Sequence, residues 1–216
     1  RILADQTKAR ADAGGPSGLA LLSSVPMLMF FLFMLTSAMA GGAMQAFVIT
    51  TLAKLWGTPI AVGSAALTGY MVGATAGTLA GGWIADRHPG NLLVFTIVSS
   101  LGSAALILLV GIVPMTDVLL VGTIFVAGVI LGASRTPRDV MIKDAAPPGQ
   151  IGKVFGFVSS GLPMGMALTP VPFGLLLDLG YPQLVFPLVA AILVASCFTL
   201  TAARSAGPVR MPAAAE

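Results

Sequence analysis

Charge in this 216-residue chain gathers at two short stretches outside its tails, Asp86-Arg87-His88 and Arg135-Thr136-Pro137-Arg138-Asp139. Each lies toward the end of a long apolar run, so the chemistry open to it is ion pairing at a water boundary. Catalysis is a poor fit. His88 is the sole histidine and Cys197 the sole cysteine, which rules out a Ser-His dyad, a histidine metal cluster, a cysteine metal site and an intrachain disulfide within the apolar runs. None of the eight acidic residues falls deep in such a run, so an aspartyl-type pair is excluded too. The chain is read as a non-enzyme that needs no metal and no cofactor.

Uncharged residues offer a second set of candidates. Ser37, Gly41 and Gln45 recur every four residues, and an amide facing lipid is costly, so Gln45 either meets a polar substrate or bonds a neighbouring helix. Ser64, Thr68, Met71, Thr75 and Thr78 form a stripe at helical spacing. Its hydroxyls either border an aqueous pathway or bond their own backbone one turn back. On the other side of the same helix Gly69, Gly73, Gly77 and Gly81 fall four apart, a groove along which a second backbone can approach closely. Tyr70 lies beside that groove and is expected to pack against a neighbour. Met39, Met44, Met164 and Met166 could furnish an adaptable apolar pocket or simply fill space.

The elements that carry these residues are written in the composition. The chain is 56% hydrophobic and 9% charged, with a mean hydropathy of +0.97, which a soluble domain of this size could not bury. The reading is an all-α polytopic membrane protein, with six transmembrane helices forming one bundle at about 26–52, 59–85, 91–113, 118–145, 151–177 and 183–203. Thr58 and Pro59 suit the start of the second span, Lys54 to Pro59 end the first with Trp56 as an interface anchor, and Pro163, Pro170 and Pro172 should bend the fifth. Residues 1–24 read as a linker and 204–216 as a tail; the polar amino end has no signal-peptide core, and its start at Arg1 suggests a fragment or a processed piece.

Arg1, Lys8, Arg10, Arg87, Arg135, Arg138, Lys143, Lys153, Arg204 and Arg210 fall on the tails and even-numbered loops, whereas the odd-numbered loops hold Lys54 alone. That bias places both termini in the cytoplasm. Arg135 is eighteen residues beyond Asp117, about 27 Å along a helix, which puts it at the inner boundary. The basic balance follows from this topology. No basic stripe interleaved with aromatics is present, so nucleic acid is not a partner.

Gly82, Ala85, Asp86, Arg87 and Gly90 resemble the cytoplasmic loop signature of the major facilitator superfamily, roughly Gly-x-Leu-Ala-Asp-Arg-x-Gly-Arg. Ile84 replaces the usual Leu, His88-Pro89 precede Gly90, and Asn91 stands where a base is usual. Ser134 to Asp139, Ala145 to Gly149, Gly152-Lys153-Val154-Phe155-Gly156-Phe157 and Gly161-xxx-Gly165-xxx-Thr169-Pro170 look like helices ten and eleven of such a protein, with fosmidomycin-resistance and drug-efflux members in view.

The resemblance implies the C-terminal six-helix half of a secondary transporter in the bacterial inner membrane, moving a small molecule by alternating access, with efflux as the direction. Its partners would be the bilayer, the small-molecule substrate, and the missing N-terminal half or a second copy. The other reading is a half-size scaffold that self-associates. Carried over residue by residue, Gly82, Asp86, Arg87, Gly90, Arg135, Arg138 and Asp139 would form a gating latch, with Asp86 facing a helix of the other bundle and Arg87 meeting Asp139 or Asp144. An ordinary solvated turn is the alternative. Arg135 and Asp139 could instead pair along their own helix, for about 0.5 kcal/mol. Gly161 and Gly165 join the helix-packing set. If protons drive transport, the titrating carboxylate should lie in the other half.

Overall fold

The computed structural model describes residues 24–87, 89–147 and 149–205. The expected linker, apart from Ser24, and all of the tail beyond Ser205 lie outside the described residues, as does His88. What is described is helical, with no strand among the described residues, and supplies six segments long and apolar enough to cross a membrane.

Helix α1 runs from Val25 to Trp56. Pro26 sits in its first turn, where the missing N–H has no partner to lose, and Gly57 ends it in a left-handed conformation (φ 66°) with its N–H on the Ala53 carbonyl. Helix α2, Ile60–Arg87, begins one residue later than Thr58-Pro59 predicts, because the Pro59 carbonyl already accepts from Val62 and Gly63. A 3-10 turn at Pro89–Asn91 leads into α3, Leu92–Ile112.

The fourth span is two helices, α4 (Asp117–Ala133) and α5 (Arg135–Ala145). The fifth is three: α6 (Ile151–Ser159), α7 (Gly161–Leu168) and α8 (Pro170–Asp178). Prolines account for the interruptions. A proline ring collides with the carbonyl four residues earlier, and Pro137, Pro163 and Pro172 stand four beyond Ala133, Ser159 and Leu168, the last residues of α4, α6 and α7. The junctions Ser134, Ser160 and Thr169 keep right-handed helical angles, so each span continues as one interrupted rod. A 3-10 turn at Pro182–Leu184 opens the sixth span, whose helix α9 covers Val185–Ser205.

Helix α2 packs most extensively on α4, and glycine makes the approach possible from both sides. A Cβ on Gly73 would meet the Phe125 carbonyl oxygen at 2.5 Å, and on Gly77 and Gly81 it would overlap the Val129 and Ala133 carbonyls. From the facing helix, Gly128 and Gly132 lie equally close to the Tyr70 and Ala74 carbonyls. Gly69, expected in the same groove, has only ordinary contact, 3.7 Å to the Phe125 side chain. Gly161 and Gly165 play the same part against the Phe31 and Leu35 carbonyls of α1. In lipid no hydrophobic drive holds helices together, so this close packing is what selects the pairs.

At the end away from the basic loops, Lys54 Nζ donates to the Leu177 carbonyl (3.0 Å) and Trp56 Nε1 to the Val110 carbonyl (3.1 Å), tying α1 to α8 and α3. Lys54→Met is expected to lower stability by about 1 kcal/mol, the net worth of one such bond. A thermal scan in detergent checks it, and an unchanged midpoint would show the bond to be idle.

Candidate functional site

Asp86, Arg87, Arg135, Arg138 and Asp139 fall at one end of the bundle, at the end of α2 and on α5. Arg87, in the last turn of α2, lies with its guanidinium 4.1 Å from the centre of the Trp83 ring, one helical turn back. It makes no ion pair with Asp139 or Asp144, which corrects the expectation from the resemblance: the guanidinium lies instead on an aromatic face of its own helix. Asp139 is taken by Arg138, whose Nε donates to Oδ1 at 3.0 Å. This is the ion pair formed among the described residues, and it also displaces the Arg135–Asp139 pair. The reason is burial. Arg138 is 9% exposed and needs a counter-charge, whereas half-buried Arg135 keeps water.

Around this pair the two parallel spans are clasped by hydroxyls. Thr136 Oγ1 donates to the Thr78 carbonyl (3.2 Å) across the α2–α5 contact, and Thr78 Oγ1 donates to Ala74 (2.8 Å) while also reaching the Gly132 carbonyl (3.3 Å). Gly82 faces Thr136, with a Cβ there 3.8 Å from its methyl. Asp86 is exposed on the outer side of the α2 terminus. Gly90 is exposed, has no positive φ, and would leave an added Cβ with nothing within 4 Å; nothing in this geometry requires a glycine there.

The pathway candidates divide. Thr68, Met71 and Thr75 lie on an exposed face of α2, with Thr68 Oγ1 on the Ser64 carbonyl (2.9 Å) and Thr75 Oγ1 on that of Met71 (3.0 Å). Thr78, from the same stripe, turns toward α4. The hydroxyls of Thr68, Thr75 and Thr78 thus bond back one turn, and Thr68 and Thr75 lie on the exposed face. Ser37 and Gln45 are half-buried on α1, and the Gln45 amide makes no side-chain hydrogen bond to a described residue. Met164 and Met166 are each 49% exposed, while Met44 is core. Tyr70 is buried against α1 and α4, as its position beside the groove predicts, with its hydroxyl unpartnered among the described residues. Among the described residues no three His, Cys, Asp or Glu side chains gather as a metal site would require.

Three features escaped the sequence reading. The Gly128-Gly132 pair had the same four-residue spacing as the α2 groove and could have been found by it. Thr96, Ser99, Ser100 and Ser103 recur at three- and four-residue intervals along the buried side of α3, where Ser103 Oγ donates to the Ala127 carbonyl (3.0 Å). The burial of Arg138 had no linear signal.

The model of the family described as Major Facilitator Superfamily matches residues 17–215. The chain belongs to that superfamily. With six apolar helices, this facilitator chain is an integral membrane protein. Among solved structures it is similar to a mutant of the peptide transporter POT in complex with alafosfalin, at 20% identity and a TM-score of 0.66, covering 85% of this chain and 39% of the other. The peptide transporter POT in complex with sulfate gives a TM-score of 0.67 at 20% identity, over 85% of this chain and 38% of that one. These likenesses are of fold. The facilitator chain spans about two fifths of the length of the transporters it matches. No curated protein matches it.

Proposed function

We propose that this chain is the C-terminal six-helix lobe of a secondary active transporter that exports a small molecule by alternating access, with both termini cytoplasmic in a bacterial inner membrane. The observation that carries the reading is the outward face of α2. It presents Thr68, Met71 and Thr75 to the outside of the bundle, as α7 does Met164 and Met166. A face that mixes hydroxyls with adaptable apolar side chains suits the wall of an aqueous cavity closed by a second lobe better than it suits lipid. Superfamily membership and a length of two fifths of full transporters support the same division. Efflux rests on the resemblance of the Ser134–Pro170 stretch to drug-efflux members, and the cytoplasmic termini on the Lys and Arg distribution.

In this reading the basic end is the inner gate. Exposed Asp86 offers its carboxylate to the positive end of a helix in the other lobe, and Arg138–Asp139 fixes the end of the fourth span against which that contact forms. Arg87 is held on Trp83 and has no part in bridging to α5. A carboxylate at a helix terminus contributes up to about 2 kcal/mol, so Asp86→Asn in the full-length transporter is expected to slow turnover about tenfold without changing insertion. Reconstituted transport by the variant, scored against a panel of small-molecule substrates, tests this. Wild-type turnover would remove the latch assignment, and a stable assembly of two copies with no other lobe would favour the self-associating scaffold.

A further inference from the structure

A cavity of about 360 Å³ opens at the basic end of the bundle; no residue of α2 lines it, and its Met141 and Asp144 come from α5, the helix that carries Arg138 and Asp139. Its walls come from the starts of α1 and α3 and the ends of α5 and α9. Phe30, Leu93, Met141 and Leu200 make it apolar, and Asp144 and Arg204 are the charged residues in its lining. The size falls within the roughly 300–1,000 Å³ of small-molecule sites.

The order of these groups along the bundle is informative. Asp144 is one residue from the end of α5 and Arg204 one from the end of α9, so both stand at the level where the spans leave the apolar core. Leu200 lies one turn deeper than Arg204, and Phe30 more than a turn inside the start of α1. Charge at the mouth over apolar walls below is the order of a lipid, headgroup above and chains beneath. The two charges are of opposite sign, both are exposed, and they do not pair with one another. Two helix starts, with their positive ends, and two helix ends, with their negative ends, meet at the same mouth.

We infer that this cavity binds a zwitterionic phospholipid carrying a primary ammonium, of the phosphatidylethanolamine class, with the ammonium on Asp144, the phosphate on Arg204 and an acyl chain along Phe30 and Leu200. A carboxylate held apart from a guanidinium fits a ligand that brings both complementary charges on one short headgroup. A primary ammonium donates hydrogen bonds to the carboxylate, which the quaternary group of a choline lipid cannot do. The site is independent of the substrate pathway and does not require the transport reading.

Native mass spectrometry of the full chain, offered equimolar phosphatidylethanolamine, phosphatidylcholine and phosphatidylglycerol in detergent, tests it. Phosphatidylethanolamine is expected to be retained about tenfold over either competitor, the effect of one charge-assisted contact. Asp144→Asn should erase the preference over phosphatidylglycerol, and Arg204→Gln should lower retention of both. Both side chains are exposed, so the variants should melt with the wild type. Equal retention of the three lipids, preference for phosphatidylglycerol, or a variant that leaves the pattern unchanged would overturn the assignment. So would binding that appears only after residues 1–23 are removed, since the cavity would then belong to the chain's own leading segment.

Discussion

Gly77→Leu is expected to abolish the folded, monodisperse protein in mild detergent, and Gly132→Leu to do the same from the facing helix. At Gly77 the first side-chain atom would overlap the Val129 carbonyl oxygen and come within 2.9 Å of the Ala133 nitrogen; at Gly132 it would overlap the Ala74 carbonyl and lie 2.8 Å from its carbon. These are backbone atoms already engaged in helices, so they cannot rotate aside as a flexible side chain would. Overpacking a core costs about 1–3 kcal/mol when side chains can adjust, and here the two helices themselves must separate, so ~3 kcal/mol or more is expected. The loss is not recovered elsewhere, because helices in lipid associate through packing and hydrogen bonds alone. Separation would also break the Thr136–Thr78 and Thr78–Gly132 contacts. Gly69→Ala supplies the internal control: its new methyl meets Phe125 and Val121 side chains at 3.7 Å, ordinary contact, and stability should hold. Thermal midpoints by size-exclusion fluorescence decide the matter. A wild-type midpoint for Gly77→Leu, or equal damage from Gly69→Ala and Gly77→Ala, would show that close approach of α2 and α4 does not hold this bundle together.

That groove also shows how far a single sequence reaches. The four-residue glycine period of α2 was legible because it repeats within one helix, and the long apolar runs between polar turns gave the spans for the same reason. Which helix fills the groove was not legible. Nothing local distinguishes α4 from any other apolar rod, and Gly128 and Gly132 acquire meaning only once Tyr70 and Ala74 are seen against them. Proline effects were legible in the fifth span, where three prolines cluster, and less so at Pro137, whose ring interrupts the fourth span at a site dominated by charge. Ion pairing was misread twice, for different reasons at buried Arg138 and at exposed Arg87. Spacing along the chain ranks partners by reach, whereas the partner a buried charge keeps depends on desolvation, which only the packed bundle defines. Arg87 had Trp83 within one turn of its own helix, and that aromatic was read past in favour of distant carboxylates. Asp86 was legible through resemblance alone, since it forms no ion pair among the described residues.

The same desolvation argument makes the Arg138–Asp139 pair asymmetric under mutation. The Arg138 side chain is 11% exposed and that of Asp139 is 41% exposed. Asp139→Ala removes the counter-charge from a guanidinium that cannot regain water, and breaking a buried pair from that side costs roughly 3 kcal/mol. Arg138→Met instead removes the buried charge and leaves a carboxylate that solvent can still reach; the methionine refills part of the apolar volume, so about 1 kcal/mol or less is expected. A double variant carrying both changes should be more stable than Asp139→Ala alone, because it no longer strands the charge. Melting of the three variants in the same detergent, at fixed salt, gives the comparison. If Arg138→Met proves the more damaging single change, the pair works through what Arg138 packs against. In that case, what positions the charged end of the fourth span is the shape of that side chain and not its charge.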